Sequence, residues 1–477
     1  MFLGRADVLK TLLKARDELL KGKGSLYFIS GIKGSGKTTL LKKIAQSIND
    51  IDVIYINIKR LSLSIDLFCI YFIGNIFFFL AKEEGEKASY FNIKFQKKII
   101  EELNDEGIIR NLNPFYEELQ KQKPDYSLLL KLAFQFPSII SKNLSIPLVL
   151  LLDEIQEISF VSNYRIDPYS LFKKATRDDG ILWILASVKK NLPFENKISL
   201  SGFLPEDTEN LLLNFSKSAK ERLFEISQGI PYPFFVLLER IEDKDKIDSF
   251  LVDEALSSEI EENGRLNNYC EQMMDCAINA ARGEGLIRSC LISLARNPHQ
   301  NLTSISRDIR RSTGVTKSLL SRLMETEIIE RKDKGYFIPN NLLNLWINIH
   351  YYGKRLELKD PIIKMLKKFN NQRVSGEIFG KEGYVILPKF LSIKIRDDGF
   401  IETDGEKERW LIKVLKEGIA TEKELEELKS YSEKTNCVAW FISFDGFSSD
   451  VFLQKGEMML SIGDDIKTIQ EILTKQE

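Results

Sequence analysis

Gly31-Ile32-Lys33-Gly34-Ser35-Gly36-Lys37-Thr38 fills every fixed position of the pattern GxxxxGK[ST]. No other stretch constrains the fold of this chain as tightly. Ahead of it runs Ser25-Leu26-Tyr27-Phe28-Ile29-Ser30, an apolar segment of strand length. Behind it Leu40, Leu41, Ile44, Ala45 and Ile48 recur at helical spacing. Strand, glycine loop and helix together are the context in which such a loop cradles phosphates. Its glycines let the backbone turn its N–H groups inward, and the helix that follows adds a positive end. Lys37 is expected to reach the β- and γ-phosphates, and the Thr38 hydroxyl to hold Mg²⁺. The expected ligand is a nucleoside triphosphate.

A chain of 477 residues has room for several domains, each with its own core. The net charge of −1 supplies no global attraction to nucleic acid or to a membrane, so any such binding needs a local patch. Cys69, Cys270, Cys276, Cys290 and Cys437 are scattered without a CxxC pair, which favours reduced thiols in a cytoplasmic protein. With only His299 and His350, histidine-based metal or triad chemistry is nearly excluded. Met1-Phe2-Leu3-Gly4-Arg5 lacks the layout of a secretory leader. The most apolar run, Phe68 to Leu80, falls short of a membrane span and reads as a buried helix.

Residues 5–21 have the spacing of an amphipathic helix, and residues 51–58 form a second strand of near-continuous apolar character. Residues 64–142 are helical throughout and too long for one crossover, so an inserted helical layer is expected. Further strands are expected at Pro147 to Leu152, Ile181 to Ser187 and Lys197 to Gly202. Strands alternating with helices predict an α/β fold with a parallel sheet. The pattern is helical from Pro205 to about residue 281.

Asp153-Glu154 closes the third strand. A carboxylate there sits at the carboxyl end of the sheet, beside the phosphate loop. Asp153 is expected to orient Mg²⁺, and Glu154 to polarise the water that attacks the γ-phosphate. An acidic cap on the next helix would look alike, but not in company with a phosphate loop. Ser187 ends the following strand, where a polar group could meet the γ-phosphate or that water.

With these residues placed, the chain resembles AAA+-type ATPases of the archaeal STAND-like group, relatives of the archaeal replication initiators. Phe2-Leu3-Gly4-Arg5 is similar to the family's N-terminal signature, though Ala6 stands where an acidic residue is usual. Gly229-Ile230-Pro231 resembles the GxP motif that opens a lid helix against the adenine. The resemblance covers residues 1–345 and implies ATP and Mg²⁺ as cofactors, slow or partner-stimulated hydrolysis, and homo-oligomers or a protein partner. It implies a nucleotide site made of Arg5, Gly31, Ile32, Lys33, Gly34, Ser35, Gly36, Lys37, Thr38, Thr39 and Pro231, with Ser187 as sensor. No arginine stands at the start of the GxP helix, where the family keeps one. Arg165 and Arg177 are available as fingers toward a neighbouring subunit, although a solvated arginine is the commoner outcome.

Residues 282–345 outline a winged helix-turn-helix. Helices are expected at Leu286 to Ala295, Leu302 to Ile309 and Lys317 to Met324, the last capped by Thr316 after a turn at Gly314. A hairpin around Asp333-Lys334-Gly335 follows. Arg310, Arg311, Lys317 and Arg322 on or before the third helix, with Arg331 and Lys332 on the wing, suit double-stranded DNA. Glu325, Glu327 and Glu330 dilute the patch, which leaves a protein-contact module as the alternative.

Residues 346–477 resemble a restriction-endonuclease-like domain, a small α/β unit with a helix at Gly376 to Leu387 and strands at Leu391 to Ile395, Trp410 to Leu415 and Cys437 to Phe444. Asp397, Asp398 or Glu402 could supply the first carboxylate such a nuclease needs. The ExK position reads Lys413-Val414-Leu415 instead. An ammonium in place of a carboxylate repels the metal, so a degenerate, non-cleaving domain is expected, with Glu402 and Lys416 as the surviving exception. The chain is thus expected to comprise an ATPase core (1–203), a helical lid (204–281), a winged helix (282–345) and a nuclease-like tail (346–477). A nucleotide-gated scaffold and an ATP-dependent nuclease stand as rivals to the DNA-binding ATPase.

Overall fold

The computed structural model describes residues 3–61, 64–82, 84–177, 180–241, 247–281, 283–352, 361–375, 384–396, 400–415, 418–454, 456 and 458–474. Contacts divide the chain into two compact units, Met1–Arg355 and Leu356–Glu477.

The first unit begins with α1 (Ala6–Leu20), β1 (Ser25–Ser30), α2 (Lys37–Ser47) and β2 (Asp52–Asn57). Four helices follow, α3 (Ile65–Leu80), α4 (Ile93–Leu103), α5 (Glu106–Leu119) and α6 (Tyr126–Leu144), the helical layer expected from the sequence. Then come β3 (Leu148–Asp153), α7 (Pro168–Ala175), β4 (Leu182–Ser187) and β5 (Lys197–Ser199). The five strands form one sheet in the order β2-β3-β4-β1-β5, and every neighbouring pair is parallel. This is an α/β P-loop architecture.

β3 and β4 are buried along their whole length, because helices cover both faces of the sheet. Val149 and Leu151 face α1 and α2, packing with Leu12, Leu40 and Ile44. Leu150 and Leu152 face the helical layer with Phe68, Phe72 and Phe134. The period-two alternation of a strand thus feeds two separate cores. The Phe68–Leu80 run lies in α3 and is buried over most of its length, and no described helix is long and apolar enough to cross a membrane.

Five helices continue the chain: α8 (Pro205–Thr208), α9 (Lys217–Ser227), α10 (Pro231–Ile241), α11 (Ser249–Ile260) and α12 (Arg265–Ala281). A module of three helices and a hairpin comes next, α13 (Glu284–Arg296), α14 (Leu302–Asp308), α15 (Thr313–Glu325), β6 (Glu330–Lys332) and β7 (Gly335–Phe337), closed by α16 (Asn341–Tyr352). The start of α15 departs from expectation. Ser312, not Thr316, is its N-cap, accepting from Val315 N, and Gly314 lies inside the first turn. Thr316 instead donates back to Ser312 O within the helix, which its position one turn later allows.

The second unit contains α17 (Pro361–Lys367), β8 (Gln372–Ser375), β9 (Tyr384–Leu387), β10 (Phe390–Ile395), β11 (Ile401–Gly405), β12 (Arg409–Leu415), α18 (Glu422–Thr435), β13 (Val438–Ser443), α19 (Ser449–Gln454), β14 (Met459–Ile462) and α20 (Gly463–Thr474). Its main sheet runs β10-β11-β12-β13-β14, antiparallel as far as β12 and parallel beyond it. The helix expected at Gly376 to Leu387 does not extend to its end. Tyr384–Leu387 pairs with Gln372–Ser375 as a strand, consistent with its aromatic and β-branched residues, and residues 376–383 lie outside the described residues.

Candidate functional site

The phosphate loop leaves the end of β1, and the strand order sets β4 beside β1 and β3 beside β4. The carboxyl ends of these three strands bring Gly31–Thr38, Ser187 and Asp153-Glu154 to one edge. A crevice at the carboxyl edge of a parallel sheet is where ligands of such folds bind.

The loop is shaped by backbone that side chains resist. Gly34 has φ +80°, and a Cβ there would lie 2.9 Å from Cβ of Tyr232 on α10. Lys37 opens α2 with its Nζ buried, donating to Gly31 O at 2.7 Å and Ile32 O at 3.0 Å. Desolvation pulls the Lys37 ammonium down to about 8, against the opposing pull of Glu154 and Asp153. Phosphate oxygens arriving at this ammonium would supply the charge its surroundings lack.

Asp153 is almost fully buried, and both its oxygens are engaged. Oδ1 accepts from Glu154 N at 3.0 Å, and Oδ2 accepts from Thr38 Oγ1 at 2.7 Å and from Tyr55 OH at 2.9 Å. A hydroxyl and a carboxylate in contact are the pair a magnesium ion would join. Tyr55 was not singled out by the sequence. Parallel pairing of β2 with β3 places it beside Leu151, and burial together with Asp153 pushes its phenol up to about 12.

Glu154 adopts φ +55°, an uncommon conformation for a residue with a side chain, and lines the cavity. Its Oε2 accepts from Nε2 of Gln156. The Gln156 Oε1 accepts from Val188 N at 3.3 Å. Ser187, expected as a sensor, is wholly buried, with its hydroxyl accepting from Lys189 N at 2.9 Å. The cavity surface at this strand end is made by Val188 instead. The polar group that the geometry places against Glu154 is therefore Gln156, for which the sequence carried no signal.

A cavity of about 530 Å³ is bounded by Arg5, Lys33 to Thr39, Glu154 and Pro231, together with Leu3, Phe203, Phe235, Val236, Glu239 and Arg265. The structure thus gathers most of the expected nucleotide residues, while Gly31, Ile32, Asp153 and Ser187 lie behind the lining. The head of Arg5 is tied down, donating to Ser201 O and lying over the Phe203 ring. Gly229 has φ +67°, and a Cβ there would meet Phe203 O at 2.3 Å, so only glycine permits the turn that presents Pro231. Arg265, unforeseen, brings a cation from α12 and is fixed by Glu259 and Glu239. These carboxylates hold its guanidinium firmly charged, chiefly through the Glu259 hydrogen bond.

α10 and α12 also touch the loop directly. Tyr232 N donates to Gly34 O at 3.1 Å, Tyr269 OH donates to Lys33 O at 2.7 Å, and Lys33 Nζ donates to Gln272 Oε1 at 2.8 Å. Arg165 and Arg177 are exposed beyond β3.

In the helix and hairpin module Arg310, Arg311, Lys317, Arg331 and Lys332 are exposed. Arg322 departs from this set. Its Nη1 donates to Ala281 O at the end of α12, 2.7 Å away, because its position on α15 faces the preceding helix. In the second unit Glu402 accepts from Arg396 at 3.0 Å, and Lys413 donates to Glu427 and lies over the Phe400 ring. Asp397, Asp398 and Lys416 lie outside the described residues. Among the described residues no group of three or more His, Cys, Asp or Glu is placed to hold a metal ion.

No protein-family model and no curated protein matches the chain. Among solved structures it is similar to the Thermotoga maritima RuvB Holliday junction branch migration motor, at 12% identity over 75% of this chain and 97% of that one, with a TM-score of 0.35. It is similar to Cdc6p of Pyrobaculum aerophilum at 15% identity over 72% and 93%, TM-score 0.32. It is also similar to the Aeropyrum pernix ORC2 protein at 14% over 72% and 94%, TM-score 0.33. Likeness at this level decides neither substrate nor mechanism, which rest on the geometry of the site itself.

Proposed function

We propose that the chain is an ATP-hydrolysing switch of AAA+ type whose winged-helix module binds double-stranded DNA. One observation carries the nucleotide part: Lys37, Thr38 and Glu154 line a single cleft at the ends of β1 and β3, with Asp153 directly behind it, holding the Thr38 hydroxyl. In this reading Lys37 and the loop amides hold the β- and γ-phosphates. Thr38 and Asp153 hold Mg²⁺, which would neutralise phosphate charge. Glu154 accepts a proton from the attacking water, and the charge that develops on the phosphoryl oxygens meets Lys37. Pro231 and Phe235 of α10 and Leu3 add apolar surface to the cavity, suited to a base.

The DNA part rests on α15 and the hairpin. α15 exposes Gly314, Val315, Lys317 and Ser318 in its first turns, with Arg310 and Arg311 just before it and Arg331 and Lys332 on the hairpin. Small residues flanked by cations suit a helix set in the major groove with a wing on the backbone. The second unit, in this reading, is a nuclease-like fold without its chemistry, since Lys413 occupies the metal carboxylate's position and Glu402 is paired with Arg396. The four segments 1–203, 204–281, 282–345 and 346–477 are its functional divisions.

ATP hydrolysis measured with and without duplex DNA tests the whole reading. DNA-stimulated turnover that Lys37→Ala abolishes, and that reversing Arg310, Arg311 and Lys317 uncouples, is the expected result. Turnover indifferent to DNA, with no binding at low salt, would instead make the module a protein-contact surface.

A further inference from the structure

The helix and hairpin module is fastened on both sides of the nucleotide cleft. On the sheet side Glu327, two residues beyond the end of α15, accepts from Lys190 N at 2.5 Å through one carboxylate oxygen. Its other oxygen lies 4.0 Å from the Lys190 ammonium. Glu327 holds φ +60°, so the chain turns sharply there to deliver this carboxylate. Lys190 belongs to the short turn after β4, and the start of that turn is held from the opposite direction. Val188 N donates to Gln156, which in turn holds the Glu154 carboxylate.

On the lid side Gln228, the residue just before Gly229, donates its Nε2 to Pro339 O at 2.9 Å and accepts from Asn341 N at 3.1 Å. Asn341 adds a hydrogen bond to Glu225 O at 2.9 Å. Pro339 and Asn341 follow the hairpin, while Gly229 and Pro231 open α10 against the phosphate loop. One end of the segment 327–341 is thus tied to the strand end beside Glu154, and the other to the end of α9 and the turn that leads into α10, the helix that covers the loop. Two anchors on opposite walls cannot both stay unchanged if the walls move relative to each other.

We propose that residues 327–341 are a strap across the nucleotide cleft, through which movement of α10 against the sheet is transmitted to α15 and the hairpin. This rests on the nucleotide and DNA reading above and adds the route that joins the two sites. Glu327 and Gln228 act as positioning residues. Through Gln156 the same route reaches Glu154, so a ligand that holds the module in one position biases the carboxylate that activates water. By reciprocity of binding, nucleotide changes the module's affinity for that ligand by the same factor as the ligand changes the affinity for nucleotide.

Hydrogen exchange on the full chain, with Mg²⁺ and a non-hydrolysable ATP analogue, tests the strap without requiring DNA. Protection at residues 31–39 reports nucleotide binding. Residues 186–192 and 324–332 should change exchange together with it. In Glu327→Ala the response at 324–332 should vanish while that at 31–39 remains, and Glu327→Gln, which keeps an acceptor oxygen, should restore it. Gln228→Ala should also silence 324–332. Binding at 31–39 with 324–332 unmoved in the wild type would overturn the strap alone. Absence of binding at 31–39 would sink the nucleotide reading and the strap with it, a distinguishable failure. Where duplex DNA stimulates turnover, Glu327→Ala should lose about fivefold or more of that stimulation at unchanged DNA affinity. Full stimulation in that variant would overturn the proposal.

Discussion

Thr38 and Asp153, 115 residues apart in the chain, meet through a hydrogen bond of 2.7 Å from Oγ1 to Oδ2. Tyr55 reaches the same oxygen from β2. Thr38→Ala should remove the Mg²⁺ dependence of nucleotide binding. Tyr55→Phe should weaken Mg²⁺ binding more mildly, by about tenfold, because it frees the carboxylate without removing a ligand. Titration of Mg²⁺ at fixed nucleotide checks both. Equal affinity in Tyr55→Phe and wild type would show that Tyr55 does not orient Asp153.

Glu154→Gln should bind ATP with wild-type affinity and slow turnover by about 10²–10⁴-fold, the usual contribution of a general base. Single-turnover hydrolysis beside equilibrium binding separates the two effects. Unaltered turnover would move the protein to the non-hydrolysing class, a nucleotide-gated scaffold.

The buried Lys37 ammonium sits at about 8, below its ordinary value of 10.5. The unfolded chain then holds this proton more tightly, so charging Lys37 costs the fold stability below about pH 8. That cost fades as the pH climbs from about 8 toward 10.5. Lys37→Met should therefore raise Tm near neutral pH in nucleotide-free protein. The gain should shrink over that alkaline range, and the rise of Tm with ATP should disappear. A Tm that falls at neutral pH would show that the hydrogen bonds to Gly31 O and Ile32 O outweigh the buried charge.

Lys317→Ala and Arg322→Ala should separate phosphate contact from structure. Lys317 is exposed, and its loss should weaken DNA binding and lower the slope of log K against log salt by about one. Arg322 caps the end of α12, so its loss should cost about 1 kcal/mol of stability and leave the slope alone. Binding isotherms at several salt concentrations beside thermal melts decide this. Equal slopes for Lys317→Ala and wild type would remove Lys317 from the interface.

The second unit should leave supercoiled plasmid intact with Mg²⁺ or Mn²⁺. In the nuclease-like reading proposed above, Lys413 takes the position of a metal carboxylate, and it is engaged with Glu427. Nicking that tracks with the purified full chain and stops with Glu402→Ala would reverse that reading.

The sequence by itself determined the covalently local parts of this protein. Gly31–Thr38 specifies its own loop because the required glycines and the helix start are neighbours in the chain. Asp153-Glu154 announces a strand end because an apolar run stops at two carboxylates. The parallel sheet follows from buried strands alternating with helices, and β5 appears where a short apolar run was expected. What only the tertiary structure decided are contacts between segments whose spacing carries no pattern. Tyr55 reaches Asp153 only through the register of β2 on β3, and Arg265 enters the cavity only because α12 packs beside α10. Ser187 drew attention in the sequence because it ends a strand, whereas Gln156 did not. Only the fold shows the Ser187 hydroxyl buried against Lys189 N and the Gln156 amide reaching both Glu154 and Val188 N. Arg322 is indistinguishable in sequence from Lys317, since both are cations on one helix, and only the packing of α15 against α12 turns one inward. Glu327 dilutes a basic patch when read along the chain. Folded, it is the carboxylate that ties the module to Lys190, because a bond across 137 residues has no local signature.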